Sequence, residues 1–240
     1  KQYFYQTNTD DERMNALRIL LAKHKPDSAL VFCNTKLDTQ DVADELAHYG
    51  FYALAIHGDL DQRERDQALI RFSNKSVSVL VATDVAARGL DIEALDLVVN
   101  FNLAHDPEVH VHRIGRTGRA GRSGIAATLY GDRETRKLDA LEIEITDDAL
   151  PSDDLLDRPI KKPTMTTLKI DGGKKQKLRP GDIVGGLTGK DGIPGSAIGK
   201  ITVSSNWSYV AVESGLVKSA LKKIQNDKLK GRIFRVRILS

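Results

Sequence analysis

The chain has 240 residues, of which 40% are hydrophobic, 29% charged and 5% aromatic. This length allows one large domain or two small ones, and the composition excludes a disordered or fibrous protein. No stretch approaches the roughly 20 consecutive apolar residues of a membrane span, so we expect no membrane partner. The single cysteine, Cys33, excludes an internal disulfide and indicates a reducing, cytoplasmic compartment.

The net charge of +3 hides an asymmetry between the two ends of the chain. Residues 1–150 carry 18 lysines and arginines against 25 aspartates and glutamates, a net charge of −7. Residues 151–240 carry 18 against 8, a net charge of +10. This asymmetry indicates two units, the second facing a polyanion. Nucleic acid is the polyanion we expect, because each neutralised phosphate releases condensed counterions. A merely solvated basic face is the alternative.

The first 147 residues alternate short β-rich runs with helical patterns. Strands are predicted at 2–6, 29–34, 52–57, 77–82, 97–102 and 125–130, and helices at 10–23, 37–49, 61–72, 107–116 and 132–143. Strands such as ALVFCN are apolar on both faces, which predicts a parallel sheet with helices on both sides. The functional loops of such a sheet follow the carboxyl ends of its strands.

Periodicity stops in the segment 148–163, which is rich in Asp and Pro and is predicted to be a linker. After it, residues 164–240 follow a βαββαβ order, with strands at 165–170, 196–203, 209–212 and 232–239 and helices at 180–189 and 216–225. This order predicts a small α+β domain like an RNA-recognition motif. Other domains share that topology, so the order alone does not assign a function.

The segment HRIGRTGRAGR at 112–122 carries the strongest chemical signal. Its arginines recur at every third residue, with glycines among them: Arg113, Arg116, Arg119 and Arg122. A guanidinium stays charged and donates two parallel hydrogen bonds to phosphate. A solvated surface helix is a poor alternative, because each glycine would cost it up to about 1 kcal/mol. The segment therefore predicts a phosphate-binding turn.

A second signal is VATDVAARGLDI at 81–92, where a buried strand delivers polar residues at its carboxyl end. A carboxylate in this position can bind a ribose hydroxyl, while Thr83 and Arg88 can reach phosphates. An ordinary loop with a helix-capping aspartate is the alternative for this stretch taken alone.

With VFCNT at 31–35 and HGDLDQRERDQALIRF at 57–72, these segments occur in a familiar order and spacing. Residues 1–150 resemble the second RecA-like domain of DEAD-box RNA helicases. The resemblance implies that Arg116 and Arg119 are arginine fingers directed at the γ-phosphate of ATP, and that His112 couples the ATP and RNA sites. It implies that Asp91 binds the ribose beside the Gly89 backbone. It also implies that six residues line the RNA backbone: Asn34, Thr35, Gly58, Arg63, Thr83 and Arg88.

The sequence has neither a G-x-x-x-x-G-K-[ST] phosphate loop nor an Asp-Glu-Ala-Asp box. GGLTGKDG at 185–192 imitates the loop, but its glycine spacing is one residue short and Asp191 replaces the hydroxyl that would hold Mg²⁺. ATP with Mg²⁺ would then be bound mainly by an N-terminal RecA-like domain that is this chain's partner. We expect the 240 residues alone not to hydrolyse ATP.

The basic segment is a candidate RNA-binding surface. Its candidate RNA-binding residues are Lys161, Lys162, Lys169, Lys174, Lys175, Lys177, Arg179, Lys200, Trp207, Tyr209, Arg235 and Arg237. Trp207 and Tyr209 fall near positions where an RNA-recognition motif stacks unpaired bases, although Trp207 could equally be a core residue. The first strand has no aromatic residue, so the basic loops could contribute more of the binding.

Through RPGDIVGGLTG and GRIFRVRILS, the basic segment resembles a bacterial DEAD-box subfamily of large-subunit ribosome assembly. The resemblance implies a monomer whose tail binds a hairpin of 23S ribosomal RNA within a large-subunit precursor. Such a tail would tether the helicase core to an adjacent duplex. A non-catalytic RNA-binding scaffold, a DNA helicase, and a related helicase with another RNA target remain alternatives. His105, His110 and His112 lack thiolate or carboxylate companions, so we expect no metal site.

Overall fold

The computed structural model describes residues 1–88, 95–118, 124–141 and 149–239. The chain divides into two compact units. The first contains Lys1–Ala68 and Val77–Lys162, and the second contains Leu69–Ser76 and Pro163–Ser240. The predicted boundaries at 147 and 163 remain predictions.

The first unit is built on a parallel sheet whose order is β1-β6-β5-β2-β4-β3. Its strands are β1 (Gln2–Gln6), β2 (Ala29–Cys33), β3 (Ala53–Ile56), β4 (Val79–Thr83), β5 (Leu97–Asn100) and β6 (Ile125–Tyr130). All five strand pairs are parallel, and β2 lies between β5 and β4. Every residue of β2 is buried, as its unbroken apolar run predicts. The expected RecA-like parallel sheet is confirmed.

The helices of the first unit follow the strands in chain order. They are α1 (Asp10–His24), α2 (Lys36–His48), α3 (Gln62–Ser73), α4 (Asp84–Ala87), α5 (Pro107–Ile114) and α6 (Thr135–Asp139). The last residues of α3, from Leu69 onward, are grouped with the second unit. Thr9 caps α1 and Thr35 caps α2, each side chain accepting a backbone N–H of the first turn. After α2 ends, Gly50 has a φ of +89°, the left-handed conformation expected of glycine there.

The main core of this unit lies between the sheet and the helices α1 and α2. Leu17, Leu20 and Leu46 from the helices pack against Val31 and Val81 of the central strands. A smaller cluster that contains Phe4, Leu103 and Leu138 forms a separate hydrophobic core. Because the sheet is buried between these layers, only its edges are available for polar chemistry.

The second unit contains an antiparallel sheet of order β10-β7-β9-β8. Its strands are β7 (Met165–Ile170), β8 (Ile198–Val203), β9 (Ser208–Glu213) and β10 (Val236–Ile238), and its helices are α7 (Pro180–Thr188) and α8 (Val217–Asn226). Leu168, Ile183, Val210 and Ile224 share one core. The predicted βαββαβ order is therefore confirmed.

Three segments differ from the sequence-based expectation. The helix predicted at 132–143 begins as a 3₁₀ turn, Asp132–Glu134, and α6 is only five residues long. The last strand begins at Val236 rather than at 232, because Arg232 pairs with Leu229 across the turn that Lys230 and Gly231 form. The predicted linker contains a 3₁₀ helix, Asp153–Asp157, whose Leu155 is buried. In the part of the chain that the structure describes, no helix has the length and apolarity to span a membrane.

Candidate functional site

Polar side chains gather where the central parallel strands end. Asn34 follows β2, Asp84 follows β4, and Asn100 and Asn102 stand at the end of β5. The carboxyl ends of parallel strands meet at one edge of a sheet, which is where α/β proteins of this class bind their ligands. The predicted position of the site is therefore the observed position of a polar cluster.

Arg113, at the end of α5, is the centre of this cluster and is 1% exposed. Its Nε and Nη2 donate to the two carboxylate oxygens of Asp84, each at 2.7 Å. Nη1 donates to the backbone carbonyl of Asn102 at 2.8 Å, and Nη2 to Oδ1 of Asn34 at 2.8 Å. A buried guanidinium is tolerated only when it is paired and hydrogen-bonded in this way. Arg113 thus joins the ends of β2, β4 and β5.

Asn34 is committed to the same network. Besides accepting from Arg113, its Nδ2 donates to the carbonyl of Leu103 at 3.0 Å, and its backbone N–H donates to Oδ1 of Asn102 at 3.0 Å. The sequence predicts a role for Asn34 in contacting the RNA backbone. In the structure the half-buried Asn34 amide makes hydrogen bonds within the protein through both its oxygen and its nitrogen, and the RNA contact remains a prediction.

Beside Arg113 lies an open cavity of about 400 Å³. Its polar wall contains Asp84, Arg88, His112, Arg113 and Arg116, and its apolar wall contains Phe32, Ala87, Val109 and Val111. Arg116 is half-buried and His112 is exposed. The cavity brings together three of the predicted site residues, Arg88, His112 and Arg116, and it presents guanidinium groups that suit a phosphate.

The segment after α5 is held against the start of β5. Leu95 and Thr117 form an isolated parallel bridge, and Thr117 Oγ1 donates to the carbonyl of Leu95 at 2.6 Å. Gly118 then adopts a φ of +70°, which glycine accepts without strain. This contact holds Thr117, between Arg116 and Gly118, beside Leu95. Gly89, Asp91 and Arg119 themselves lie outside the described residues.

The other predicted RNA-contacting residues lie at the same edge of the sheet. Thr35 and Thr83 cap α2 and α4, where their hydroxyls accept the backbone N–H of Asp38 at 3.0 Å and of Ala86 at 3.3 Å. Gly58 follows β3 and is exposed, and Arg63 is exposed on the first turn of α3. Helix N-termini at this edge favour an anionic ligand such as a phosphate.

Two buried titratable groups lie near this edge. His110 on α5 is fully buried, and burial together with the Arg113 charge lowers its pKa to about 4. Its Nε2 pairs with Oε1 of Gln2 at 3.3 Å. Burial raises the pKa of the Cys33 thiol, which favours an unreactive core side chain. Among the described residues, no group of three or more His, Cys, Asp or Glu side chains could hold a metal ion.

The predicted RNA-binding residues of the basic segment fall into two groups. Most are exposed: Lys162, Lys174, Lys175, Lys177, Arg179, Lys200 and Arg235. Lys169 and Tyr209 are each 1% exposed, and the Lys169 ammonium lies 4.6 Å from the centre of the half-buried Trp207 ring. Arg237 is half-buried and donates to Asp171 at 2.8 Å. The predicted residues Lys161 and Lys162 both lie in the first unit, not the second.

The loop that carries Lys174 and Lys175 is held by backbone hydrogen bonds and close packing. Their backbone N–H groups donate to the carbonyls of Ser204 and Ser205 at 2.8 and 3.0 Å. Gly173 packs so closely there that an added Cβ would lie 2.3 Å from the Ser204 carbonyl oxygen. The basic side chains therefore project from a fixed backbone.

Two family models match the chain, one in each unit. The helicase conserved C-terminal domain matches residues 12–121, and the DbpA RNA binding domain matches residues 167–238. The ATP-dependent RNA helicase DbpA of Escherichia coli is 50% identical over 100% of this chain and 52% of its own length. The chain belongs to the DEAD-box family. DbpA of Bacillus subtilis is 36% identical over 95% of the chain and 52% of its own length.

The solved structures agree with this membership. The DEAD-box protein SrmB of Escherichia coli, bound to a regulator of ribonuclease activity, is 34% identical with a TM-score of 0.58, over 68% of this chain and 95% of that one. A DEAD-box protein of Methanococcus jannaschii is 41% identical with a TM-score of 0.57, over 62% of this chain and 42% of that one. The chain spans about half the length of the two DbpA proteins that it matches.

Sequence reasoning missed the role of Arg113. It grouped this arginine with three others that were expected to face phosphate, whereas the structure turns it inward. The sequence does contain a signal for this role. Three apolar strands are followed by side chains with hydrogen-bond acceptors, Asn34, Asp84 and Asn102, and buried acceptors need a hydrogen-bond donor. Arg113 lies three positions after the buried His110 and so falls on the inner face of α5.

Proposed function

We propose that this chain is the C-terminal half of an ATP-dependent RNA helicase. The first unit supplies arginines to ATP bound on an N-terminal RecA-like partner domain, and the second unit selects RNA. The observation that carries the proposal is the cavity at the strand ends, where Arg116 and His112 stand beside the Arg113–Asp84 pair. A structural scaffold has no need of arginines gathered around an open cavity.

The donors around this cavity fit a nucleotide phosphate. Arg116, Arg88 and His112 present N–H donors, and the bound Asp84 carboxylate is neutralised by Arg113, so it does not repel an anion. When bound with Mg²⁺, ATP supplies the phosphoryl group. The residues of this chain position and neutralise: Arg116, with Arg119, would face the charge that develops in the transition state, and Asp91 would bind the ribose. An arginine that acts in this way contributes about 10³–10⁵ in rate.

Arg113 is assigned a different task. Its guanidinium donates hydrogen bonds to Asp84, Asn34 and Asn102. Arg113 therefore holds together the ends of the strands that carry the RNA-contacting and nucleotide-contacting residues of the proposal. It is a positioning residue. The arginines that contact phosphate would be those that follow it, on the turn beyond α5.

The RNA target is the second part of the proposal. The exposed lysines and arginines of the second unit would bind phosphates of a ribosomal RNA hairpin in a large-subunit precursor, and the first unit would contact only the backbone of an adjacent duplex. Backbone contacts orient a protein on RNA without reading its sequence, so the choice of RNA falls to the second unit. The enzyme would act as a cytoplasmic monomer.

The test is the substitution Arg116→Ala in the full-length enzyme. We expect ATP turnover at saturating RNA to fall at least about 10²-fold, because the guanidinium stabilises charge that develops only in the transition state. RNA affinity, measured by titration in the absence of nucleotide, should change less than about threefold. Arg158→Ala, an exposed arginine of the first unit, serves as the control.

Equal losses of turnover and RNA affinity would contradict the finger role. Unchanged turnover in both variants would favour the scaffold function, in which the RecA-like unit contributes no catalytic group. The 240-residue chain alone should show no ATP turnover.

A further inference from the structure

The turn that follows β3 in the first unit is joined to α2 by a histidine. The His57 carbonyl accepts the backbone N–H of Leu60 at 3.3 Å, and this bond closes the turn. The His57 ring is buried, and its Nε2 lies 3.0 Å from Oε1 of Gln40 on α2. Its Nδ1 accepts the backbone N–H of Asp59 at 3.4 Å. One ring nitrogen of His57 therefore contacts α2 and the other contacts the turn.

A carboxylate on α2 decides which nitrogen of His57 carries the proton. Asp44 Oδ1 lies 2.8 Å from the Gln40 amide, and a carboxylate at neutral pH only accepts hydrogen bonds. The Gln40 amide must therefore present its nitrogen to Asp44, which directs its oxygen at His57. Because that oxygen needs a donor, Nε2 of His57 carries the proton. Nδ1 then has the lone pair that the N–H of Asp59 requires.

A second contact ties the same turn to the first residue of α2. The Asp59 carboxylate pairs with the Lys36 ammonium, and a Cβ on Gly58 would lie 3.4 Å from Lys36 Cε. Gly58 is exposed in the turn, and Lys36 directly follows Thr35. Thr35 and Gly58 are two of the residues predicted to line the RNA backbone. The turn is thus held at the edge of the sheet where the first unit would bind RNA.

We propose that His57 and Gln40 are positioning residues for RNA binding by the first unit. Gln40 keeps His57 in the Nε2–H tautomer, and Nδ1 of His57 then fixes the turn that presents Gly58 to the RNA backbone. This inference rests on the proposed function. A turn that is fixed before RNA arrives loses less conformational freedom on binding, so RNA binds more tightly without any added contact.

The tautomer is tested on the 240-residue chain by ¹⁵N NMR of the histidine rings at about pH 8, above the range in which histidine usually takes up a proton. The His57 ring, assigned by the loss of its signal in His57→Asn, should carry its proton on Nε2. The variant Gln40→Met should give a mixture of the two tautomers. It should also speed hydrogen exchange at the Asp59 amide at least about tenfold. A proton on Nδ1 in the parent chain would overturn the inference, whatever the function.

The role in RNA binding is tested in the full-length enzyme. ATP turnover is measured against the concentration of an RNA duplex that lacks the ribosomal stem–loop. His57→Gln can still reach Gln40 but has no acceptor at the Nδ1 position. It should raise the KM for RNA at least about fivefold, with kcat at saturating RNA within about twofold of the parent value.

The conservative variant His57→Asn separates positioning from a general effect on folding. It loses the bond to Gln40, but an asparagine Oδ1 can accept the backbone N–H two residues further on. Its KM for RNA should therefore stay within about twofold of the parent value.

The substitution Gln40→Met tests the other half of the relay. It should raise the KM for RNA at least about threefold, whereas Gln67→Met, the same change at a half-buried position of α3, should not. In the background of His57→Asn, Gln40→Met should have no further effect, because an asparagine has no ring tautomer for Gln40 to select.

The outcomes separate the inference from the function on which it rests. Equal KM values for RNA in the parent, His57→Gln and Gln40→Met would overturn the positioning role and leave the proposed function intact. A KM for His57→Asn as high as that of His57→Gln would also overturn it, since the loss would then come from a disturbed fold. A parent enzyme without RNA-stimulated ATP turnover would contradict the proposed function and, with it, this role of the turn.

Discussion

Removal of Arg113 should destabilise the first unit far more than removal of any exposed arginine. In the variant Arg113→Ala, the Asp84 carboxylate loses both of its guanidinium donors, and the Asn34 and Asn102 oxygens each lose one. Breaking a buried pair by removing one partner costs about 3–5 kcal/mol, because the other charge is left without compensation. Since small domains are stable by only about 5–15 kcal/mol, this is a large fraction of the total.

The assay is urea unfolding of the 240-residue chain, followed by far-ultraviolet circular dichroism and by fluorescence. The single tryptophan, Trp207, lies in the second unit, so its fluorescence separates that unit's transition from the first unit's. Arg158→Ala is the matched control: it removes an exposed arginine from an i,i+4 pair that solvent screens, so we expect little change in stability. Asp84→Asn completes a double-mutant cycle with Arg113→Ala.

A loss below about 1 kcal/mol for Arg113→Ala would refute the assignment of Arg113 as the residue that joins the strand ends. A coupling energy near zero between Arg113 and Asp84 would refute it as well. Arg113→Lys should recover little of the loss, because an ammonium cannot present the planar fork that Asp84 accepts.

Three further results are expected. As the pH falls from about 6.5 to about 4, the parent chain should lose up to about 3 kcal/mol more stability than His110→Gln, because His110 stays neutral in the folded chain but takes up a proton in the unfolded chain. Equal pH dependence of the two proteins in urea melts would contradict this. Gly173→Ala should lower the stability of the second unit by about 1–3 kcal/mol, since its Cβ would collide with the Ser204 carbonyl, whereas Gly185→Ala should stabilise the same unit by about 0.5–1 kcal/mol because Ala favours the helix α7. Equal unfolding transitions of the two variants, followed by Trp207 fluorescence, would show the packing argument to be wrong. RNA affinity of the chain should fall steeply with salt, each phosphate contact adding about 0.7–0.9 to the logarithmic slope, and a flat salt titration would show that the +10 charge is only solvated.

Much of the fold follows from local pattern. β1, β6 and β7 have the predicted bounds, because short runs rich in β-branched, aromatic and other apolar residues predict strands. The caps Thr9 and Thr35, and Gly50 after α2, are likewise local signals. The parallel direction of the first sheet follows from strands that are apolar on both faces. The four-residue helix α4 was not predicted, since a single turn has no periodicity to detect.

The contacts that organise the site could not be predicted in the same way. Whether an arginine in a glycine-rich run faces phosphate or the protein depends on partners from distant strands, and Arg113 and Asp84 are 29 residues apart. The packing of the segment 149–162 could not be predicted for a related reason: its Asp and Pro content indicates a linker, while the contacts of Leu155, Ile160 and Lys161 depend on distant residues of the first unit. Tertiary partners override local composition at such positions.

The central claim is that the second unit selects the RNA and the first unit does not. It is tested most directly by RNA-stimulated ATP turnover of the full-length enzyme, with and without residues 163–240, using the ribosomal stem–loop and a scrambled stem–loop of equal length. We expect the intact enzyme to prefer the ribosomal stem–loop by at least about tenfold, and the truncated enzyme to respond weakly and equally to both. A truncated enzyme that still preferred the ribosomal stem–loop would place sequence selection in the RecA-like unit and contradict the account.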